Sequence, residues 1–236
     1  MKILALDSSG LVASVALLEN DNLVAEFTVN NKKTHSQTLL PMLDEVVNAA
    51  GIELDAVDAI AIAAGPGSFT GLRIGAATVK GLSLALDKPV VPVPTLEGLA
   101  YNFWGSDRLI CPIMDARRNQ VYTGLYRFDE AGNLVTEMDQ IPMDVNELID
   151  LLLEKDEEVQ FTGDGIQVYG SQILSKMKHA RLAPAHLNKQ KAGSVAYAGA
   201  YRYADEQYIN GDDFAPEYLR MSQAERERKE KGERNE

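Results

Sequence analysis

The N-terminal half alternates short apolar runs with turn residues, which predicts three strands followed by a helix, a strand and a second helix. The predicted strands are KILAL, VASVALLE and LVAEFTV, and the last two have hairpin spacing. The segment QTLLPMLDEVVNAA predicts a helix with Ser36 as its N-cap and Gly51 just past its end. The run VDAIAIAA predicts a buried strand, and the next helix extends through Leu86 until Pro89 stops it.

The C-terminal half repeats this order of elements. LICPIM predicts a strand that ends at Asp115, and NQVYTGLYRF with LVTEMDQI predicts a hairpin. DVNELIDLLLEK predicts an amphipathic helix with Asp144 as N-cap, EVQFTGDGI a strand with a glycine turn, and SQILSKMK another helix. A last helix is predicted over 192–208. The halves share little residue identity, so only the pattern is repeated.

The repeat predicts an α/β protein with the actin-like ATPase (ASKHA, RNase H-like) fold, built of two β-β-β-α-β-α lobes. Asp7 and Asp115 each end a first strand, and the glycine turns 65–67 and 163–165 each end a fourth. Ligands of open α/β sheets bind beyond the carboxyl ends of strands. We therefore expect these turns to face one another across a cleft.

The predicted lobes cover 1–105 and 106–221, and the helix 192–208 is expected to pack back towards the first lobe. The final segment, 222–236, is rich in charge and has no apolar face, so we expect it to be disordered.

The stretch GPGSFTGLRIG, at 65–75, resembles an anion-binding loop because backbone N–H groups at a helix N-terminus point at an anion. A P-loop would place Lys and Ser/Thr after its last glycine, whereas Leu72 and Arg73 stand there. Arg73 in a first turn opposes the helix dipole. We therefore expect beside it a carboxylate of this chain, a carboxylate of a partner, or a bound anion.

The remaining candidates for a nucleotide cleft are Asp7, Ser8, Asp115, Gly163 and Gly165. In a kinase of this architecture, such aspartates hold Mg²⁺ through water, and small residues beside them let the backbone reach phosphates. The stretch DSSG at 7–10 meets that requirement. The stretch DARRN at 115–119 instead supplies two arginines, which either obstruct the phosphate site or bind phosphate themselves.

Composition narrows the function classes. The 236 residues carry a formal net charge of −12, which disfavours a primary RNA binder, although Arg73, Arg117 and Arg118 form a local positive spot. No apolar run approaches a membrane span, and the single cysteine fits the cytoplasm. The three histidines are scattered, so no metal site is predicted. No nucleophile set is visible, so no catalytic residue is predicted.

The segments LALDSSG, HSQTLLP, AAGPGSFTGLRIG, MDARRNQVY, FTGDG and APEYLR, in this order, resemble the TsaB (YeaZ) family. The resemblance covers the whole chain except the charged tail. It implies a non-catalytic protein required for threonylcarbamoyladenosine in tRNAs that read codons beginning with adenine. It also implies pairing with the transferase TsaD, a ternary complex with the ATPase TsaE, and a homodimer when alone, with tRNA contacted only through the complex.

The resemblance further implies no metal and no cofactor beyond weak or vestigial nucleotide binding. TsaD holds a metal through two histidines in a segment like PVPTLEGLAY, and here Thr95 and Leu99 stand at those positions. Pairing in the family uses helices that correspond to 36–50 and 71–86. The interface candidates that this assigns are His35, Met42, Arg73, Gly75, Thr78 and Leu82.

Met42 is expected to face away from a core stripe of Leu39, Leu43, Val46 and Val47, while Gly75, Thr78 and Leu82 either meet the partner or pack on their own sheet. Two other functions stay open: an ATP-dependent kinase or ATPase of the sugar-kinase type, and a metalloprotease. The arginines after Asp115 count against the first, and the missing histidine pair counts against the second.

Overall fold

The computed structural model describes residues 1–31 and 33–220, which fold around two five-stranded mixed sheets. The first sheet has the order β3-β2-β1-β4-β5. Its strands are β1 (Lys2–Asp7), β2 (Ala13–Glu19), β3 (Asn22–Val29), β4 (Ala59–Gly65) and β5 (Val90–Pro94). The helices between them are α1 (His35–Ala50) and α2 (Phe69–Leu86), and α3 (Thr95–Ala100) follows β5.

The second sheet has the order β10-β9-β6-β7-β8, which is the first order read in reverse. Its strands are β6 (Leu109–Arg117), β7 (Gln120–Phe128), β8 (Leu134–Asp144), β9 (Val159–Thr162) and β10 (Ala180–Leu182). The helices are α4 (Val145–Lys155), α5 (Ile166–Lys176) and α6 (Ala192–Ala204). In both sheets the first three strands are antiparallel and the last two are parallel. The predicted repeat is therefore confirmed.

Each sheet is covered on both faces, which explains the continuous apolar runs of its central strands. The odd and even residues of β1 belong to different clusters: Leu4 and Leu6 pack with α1 and α2, whereas Ile3 and Ala5 pack with α6. In the second sheet, α4 and α5 cover one face. Residues of α3 cover the other face, so α3 lies between the lobes.

Several predicted boundaries need correction. Thr34, not Ser36, is the N-cap residue of α1, and its side chain makes no capping bond. Pro41 is the seventh residue of that helix. Helix α6 ends at Ala204 rather than 208. Strands β5 and β10 and helix α3 were not predicted, because each is too short to show a period.

Other local signals are confirmed. Gly51 ends α1 with φ 65°, in the left-handed region where glycine is favoured. Asp144 caps α4 by accepting from the Asn146 amide at 2.8 Å. The charged segment 222–236 lies outside the described residues, as does Lys32. Among the residues that are described, no helix combines the length and the apolar character needed to cross a bilayer.

Candidate functional site

The predicted turns from both lobes meet at a cleft of about 640 Å³. Its lining comes from the β1–β2 turn, the start of α2, the β6–β7 turn, the turn after β9 and the C-terminal segment. Its lining residues include Ser9, Gly10, Asp115, Arg117, Asp164 and Glu217. The predicted cleft is thus present.

Asp7 does not line this cleft. Its carboxylate is 2% exposed and accepts hydrogen bonds from the amide and the hydroxyl of Ser9, at 2.8 and 2.7 Å. Burial raises the pKa of Asp7 to about 6, against the opposing effect of the Ser9 hydrogen bonds and the charge of His35. Asp7 therefore organises the β1–β2 turn.

Ser8 packs against α2 at Gly71 and Gly75, where no side chain projects from the helix. Its hydroxyl donates to the Gly71 carbonyl at 2.9 Å. A Cβ added at Gly71 would collide with the Ser8 carbonyl oxygen, and one added at Gly75 would lie 2.5 Å from the Ser8 hydroxyl oxygen. Gly71 and Gly75 thus serve close packing of the helix on the β1–β2 turn.

The start of α2 is capped and covered by aromatic rings. Ser68 is the N-cap, and its hydroxyl accepts from the Gly71 amide at 3.3 Å. The Arg73 guanidinium lies 4.0 Å from the centre of the Phe69 ring and donates to the Tyr218 hydroxyl at 3.4 Å. Within the described residues no carboxylate pairs with Arg73, so the expectation of an internal ion pair is not met there.

The C-terminal segment, defined as residues 214–220, crosses the cleft and touches both lobes. The Glu217 amide donates to the Ala64 carbonyl at 2.7 Å. Its carboxylate accepts from Gln140 Nε2 at 2.6 Å, and the same nitrogen donates to the Gly65 carbonyl at 3.1 Å. Gly65 has φ 124°, and a Cβ there would collide with the Glu217 carbonyl oxygen. The glycine turn after β4 is therefore occupied by the chain itself.

The turns of the second lobe keep more exposed polar groups. Asp115 is exposed, and its carboxylate accepts from the Arg117 amide at 2.8 Å and the Tyr169 hydroxyl at 3.2 Å. Asp164 accepts from the Asp115 amide at 3.1 Å, and burial raises its pKa. Gly163 has φ 95°, and it and Gly165 pass close to the Ile113 carbonyl. These glycines bring two carboxylates together.

His35 and Gln190 hold the other side of the β1–β2 turn. His35 Nε2 donates to the Gly10 carbonyl at 2.8 Å, while its Nδ1 is buried without a partner among the described residues. Gln190 is 1% exposed and abuts Gly10, and neither of its amide atoms finds a partner in the described part of the chain. Sequence reasoning missed Gln190, because nothing local to it indicates the turn it contacts.

Met42, an interface candidate on α1, does not face outward. Met42 is 3% exposed and belongs to the core, so the prediction that it points away from the core is wrong. The spacing i, i+3, i+4, i+7 from Leu39 includes Met42 and could have revealed this. Leu40, by contrast, is 56% exposed.

The candidates on α2 divide in a similar way. Gly75 is buried against Ser8, and Leu82 is partly buried against the core of the first lobe. Thr78 is half-buried, and its hydroxyl donates to the Ile74 carbonyl at 2.9 Å. Leu84, not singled out by the sequence, is 78% exposed. The outward surface of α1 and α2 thus carries Leu40 and Leu84.

Thr95 and Leu99, which the family resemblance places at the positions of metal-binding histidines, are used in packing. Thr95 is fully buried and accepts from the Gly65 amide through its hydroxyl at 3.1 Å. Leu99 is 1% exposed in the cluster between the lobes. Within the described residues no group of three or more His, Cys, Asp or Glu side chains is placed to hold a metal. Cys111 is buried, and burial raises its pKa to about 12.

Comparison with known proteins gives consistent matches. The family model described as TsaD, tRNA N6-adenosine threonylcarbamoyltransferase, matches residues 22–228. The tRNA threonylcarbamoyladenosine biosynthesis protein TsaB of Bacillus subtilis is 34% identical over 95% of this chain and 96% of its own length. TsaB of Escherichia coli is 38% identical over 56% of this chain and 58% of its own length.

The structural match agrees. YeaZ from Pseudomonas aeruginosa is 28% identical, with a TM-score of 0.77 over 92% of this chain and 99% of that one. The predicted actin-like ATPase fold is confirmed by this likeness together with the repeated sheet order.

Proposed function

The chain belongs to the TsaB (YeaZ) family, and from this premise we propose that it takes part in tRNA threonylcarbamoyladenosine biosynthesis as a non-catalytic subunit that binds and activates TsaD. TsaD then transfers the threonylcarbamoyl group to the adenosine beside the anticodon, TsaE joins as the third component, and the site of action is the cytoplasm.

The observation that carries the non-catalytic role is the use of the cleft groups for internal contacts. Asp7 is buried under its bonds to Ser9, and the glycine turn after β4 is filled by Glu217. Thr95, at the position of a metal-binding histidine, bonds Gly65. A residue already bonded inside the protein would have to give up these contacts before it could serve a substrate.

The pairing surface that we propose is the outward face of α1 and α2. The two helices contact each other on one face of the first sheet, and α6 covers the opposite face. Leu40 and Leu84 are strongly exposed on this pair of helices. Apolar side chains of this size favour burial against another protein. When the chain is alone, we propose that a second copy covers the same face.

Reconstitution of tRNA modification with TsaC, TsaD and TsaE tests this function directly. We expect modification to fall to background when this chain is left out and to return when it is added. Undiminished modification in its absence would remove the proposal.

An ATP-dependent kinase or ATPase is the second candidate, favoured by the two-lobed fold and by the exposed carboxylate of Asp115 in the cleft. Calorimetry with ATP and Mg²⁺ on the isolated chain separates the two functions. Sub-micromolar binding accompanied by turnover would favour the enzyme over the activator.

A further inference from the structure

The arginines in the described part of the chain divide into two groups. Four of them pair with a glutamate: Arg108, Arg127, Arg181 and Arg202. The other four have no ion pair within the described residues: Arg73, Arg117, Arg118 and Arg220. In a chain of net charge −12, carboxylates are abundant, so unpaired arginines require an explanation.

Two of the unpaired arginines line the cleft, and the other two are adjacent to residues that line it. Arg117 and Arg220 both line it. Arg220 Nη1 donates to the carbonyl of Ala116 at 2.6 Å, which holds Arg220 beside the β6–β7 turn. Arg73 contacts Tyr218, two residues before Arg220. We call Arg73, Arg117, Arg118 and Arg220 the arginine surface.

The β6–β7 turn holds its arginines outward by an unusual backbone. Arg117, Arg118 and Asn119 all have positive φ, at 62°, 55° and 61°. Each such residue without glycine costs of the order of 1 kcal/mol, and this conformation persists only where surrounding contacts impose it. The Arg117 amide donates to Asp115, and the Asn119 side chain donates to Asp144 at 2.9 Å. The turn is thus fixed by its backbone and by Asn119.

The two arginine side chains in this turn contribute nothing to fixing it. Arg117 and Arg118 are exposed, and their guanidinium groups make no hydrogen bond to any described residue. Backbone strain in a turn whose longest side chains are unused favours a role for those side chains in binding.

The carboxylates of the same cleft indicate where the ligand lies. Asp115, Asp164 and Glu217 line the cleft, yet none pairs with Arg117 or Arg220. A nucleotide inside the cleft would place its phosphates among these three carboxylates and would need a bridging Mg²⁺ there. A polyanion that passes outside the mouth meets the arginines and avoids the carboxylates. Guanidinium groups bind phosphate bidentately.

We propose that the arginine surface contacts the phosphate backbone of tRNA when this chain is paired with the transferase. The inference rests on the proposed function, because tRNA is the polyanion on which that function acts. The acidic remainder of the chain repels RNA, so the contact is local and orients the tRNA. It differs from the expectation that tRNA is contacted only through the complex.

The test compares two double variants of the same lobe in complex with TsaD. Arg117→Gln with Arg118→Gln removes two unpaired charges. Arg108→Gln with Arg181→Gln removes two charges that both pair with Glu158 and serves as the matched control. Arg73 stays unchanged, because it lies on α2, part of the proposed pairing surface. Thermal melting and co-purification with TsaD establish that each variant folds and pairs.

The readout is tRNA affinity at several salt concentrations. Each lost phosphate contact lowers the slope of log K against log salt by about 0.7 to 0.9, so we expect a decrease of roughly 1.5 for the Arg117 and Arg118 variant. We also expect binding to weaken roughly tenfold at low salt. The control should match the unmodified complex on both measures.

Three results would overturn the inference. Unchanged affinity and slope would show that no phosphate is contacted. Weaker pairing with TsaD at unchanged tRNA slope would assign the arginines to a protein carboxylate. Weaker ATP binding in calorimetry, again at unchanged slope, would assign them to a nucleotide. If the unmodified chain fails to pair with TsaD, the proposed function is wrong. The same tRNA titration on the isolated chain at low salt then shows whether the arginine surface contacts phosphate.

Discussion

Gly71 and Gly81 lie on the same helix, α2, yet their surroundings differ completely. A Cβ at Gly71 would collide with the carbonyl oxygen of Ser8, whereas nothing lies within 4 Å of one at Gly81. Gly71 is therefore required by contact with the β1–β2 turn. Gly81 has no such contact among the described residues and only weakens the helix.

This contrast gives a matched pair of substitutions. Gly71→Ala forces the helix away from Ser8, and we expect it to destabilise the chain by about 1–3 kcal/mol. Gly81→Ala should stabilise it by about 1 kcal/mol, because alanine favours helix. Urea unfolding of both variants measures the free energy of unfolding. Equal effects of the two substitutions would show that the Ser8 contact is unimportant.

Asp7 gives a prediction about pH. Because burial raises its folded-state pKa to about 6, from 3.8, the folded protein binds the proton more tightly than the unfolded chain does. Its contribution to stability is therefore present at low pH and is lost as pH rises through about 6. At neutral pH the buried carboxylate destabilises the fold.

Asp7→Asn removes that charge and keeps an oxygen for both Ser9 hydrogen bonds. We expect the variant to be more stable than the unmodified chain at neutral pH by on the order of 2 kcal/mol, and the difference to vanish below roughly pH 4. Unfolding curves at a series of pH values check this. A variant that is less stable at neutral pH would contradict the assigned pKa.

At the scale of elements, the inner faces of α1 and α2 pack in the core of the first lobe, and their outer faces expose leucine side chains. Leu39, Met42 and Leu43 face the sheet, while Leu40 and Leu84 face outward. Helix α5 of the second lobe also exposes a leucine, Leu174, at 51%. Exposure of a leucine alone therefore does not identify an interface. The proposed pairing surface is chosen because α1 and α2 lie together on one face of the first sheet.

Aspartate substitutions distinguish these surfaces. Leu40→Asp and Leu84→Asp should each weaken pairing with TsaD at least about tenfold, because an unpaired charge would be buried at the contact. Leu174→Asp should leave pairing unchanged. Affinity measured by calorimetry decides, with melting temperature as the folding control. Equal pairing by all three variants would place the contact elsewhere on the chain.

At the scale of the whole molecule, the C-terminal segment ties the two lobes together. Phe214 is 2% exposed in the core of the first lobe. Six residues later, Arg220 bonds the Ala116 carbonyl of the second lobe, and Glu217 bonds residues from both sides of the cleft. The cleft is therefore crossed by the chain that forms it.

Removing the buried Phe214 ring should weaken the hold of the C-terminal segment on the cleft. Phe214→Ala should lower the free energy of unfolding by about 3–5 kcal/mol, because it empties a core position. It should also speed hydrogen exchange at the Glu217 amide. Tyr208→Ala, at a ring 43% exposed, is the control and should cost much less. Unchanged exchange at Glu217 would mean that the segment is held without Phe214.

The sequence by itself determined the features that depend on neighbouring residues. Strand and helix periods gave the two repeated lobes, and the caps at Asp144 and Gly51 were found because a cap bonds or turns within a few residues. The aspartate and glycine turns were placed at one cleft because the carboxyl ends of parallel strands share a sheet edge.

Only the tertiary structure decided how those turns are used. Glu217 fills the turn after β4, and Thr95 bonds Gly65. The tertiary structure also decides which arginines form an ion pair with a carboxylate. Each of these contacts joins groups that are far apart along the chain and meet only when the chain folds, so no local pattern contains them.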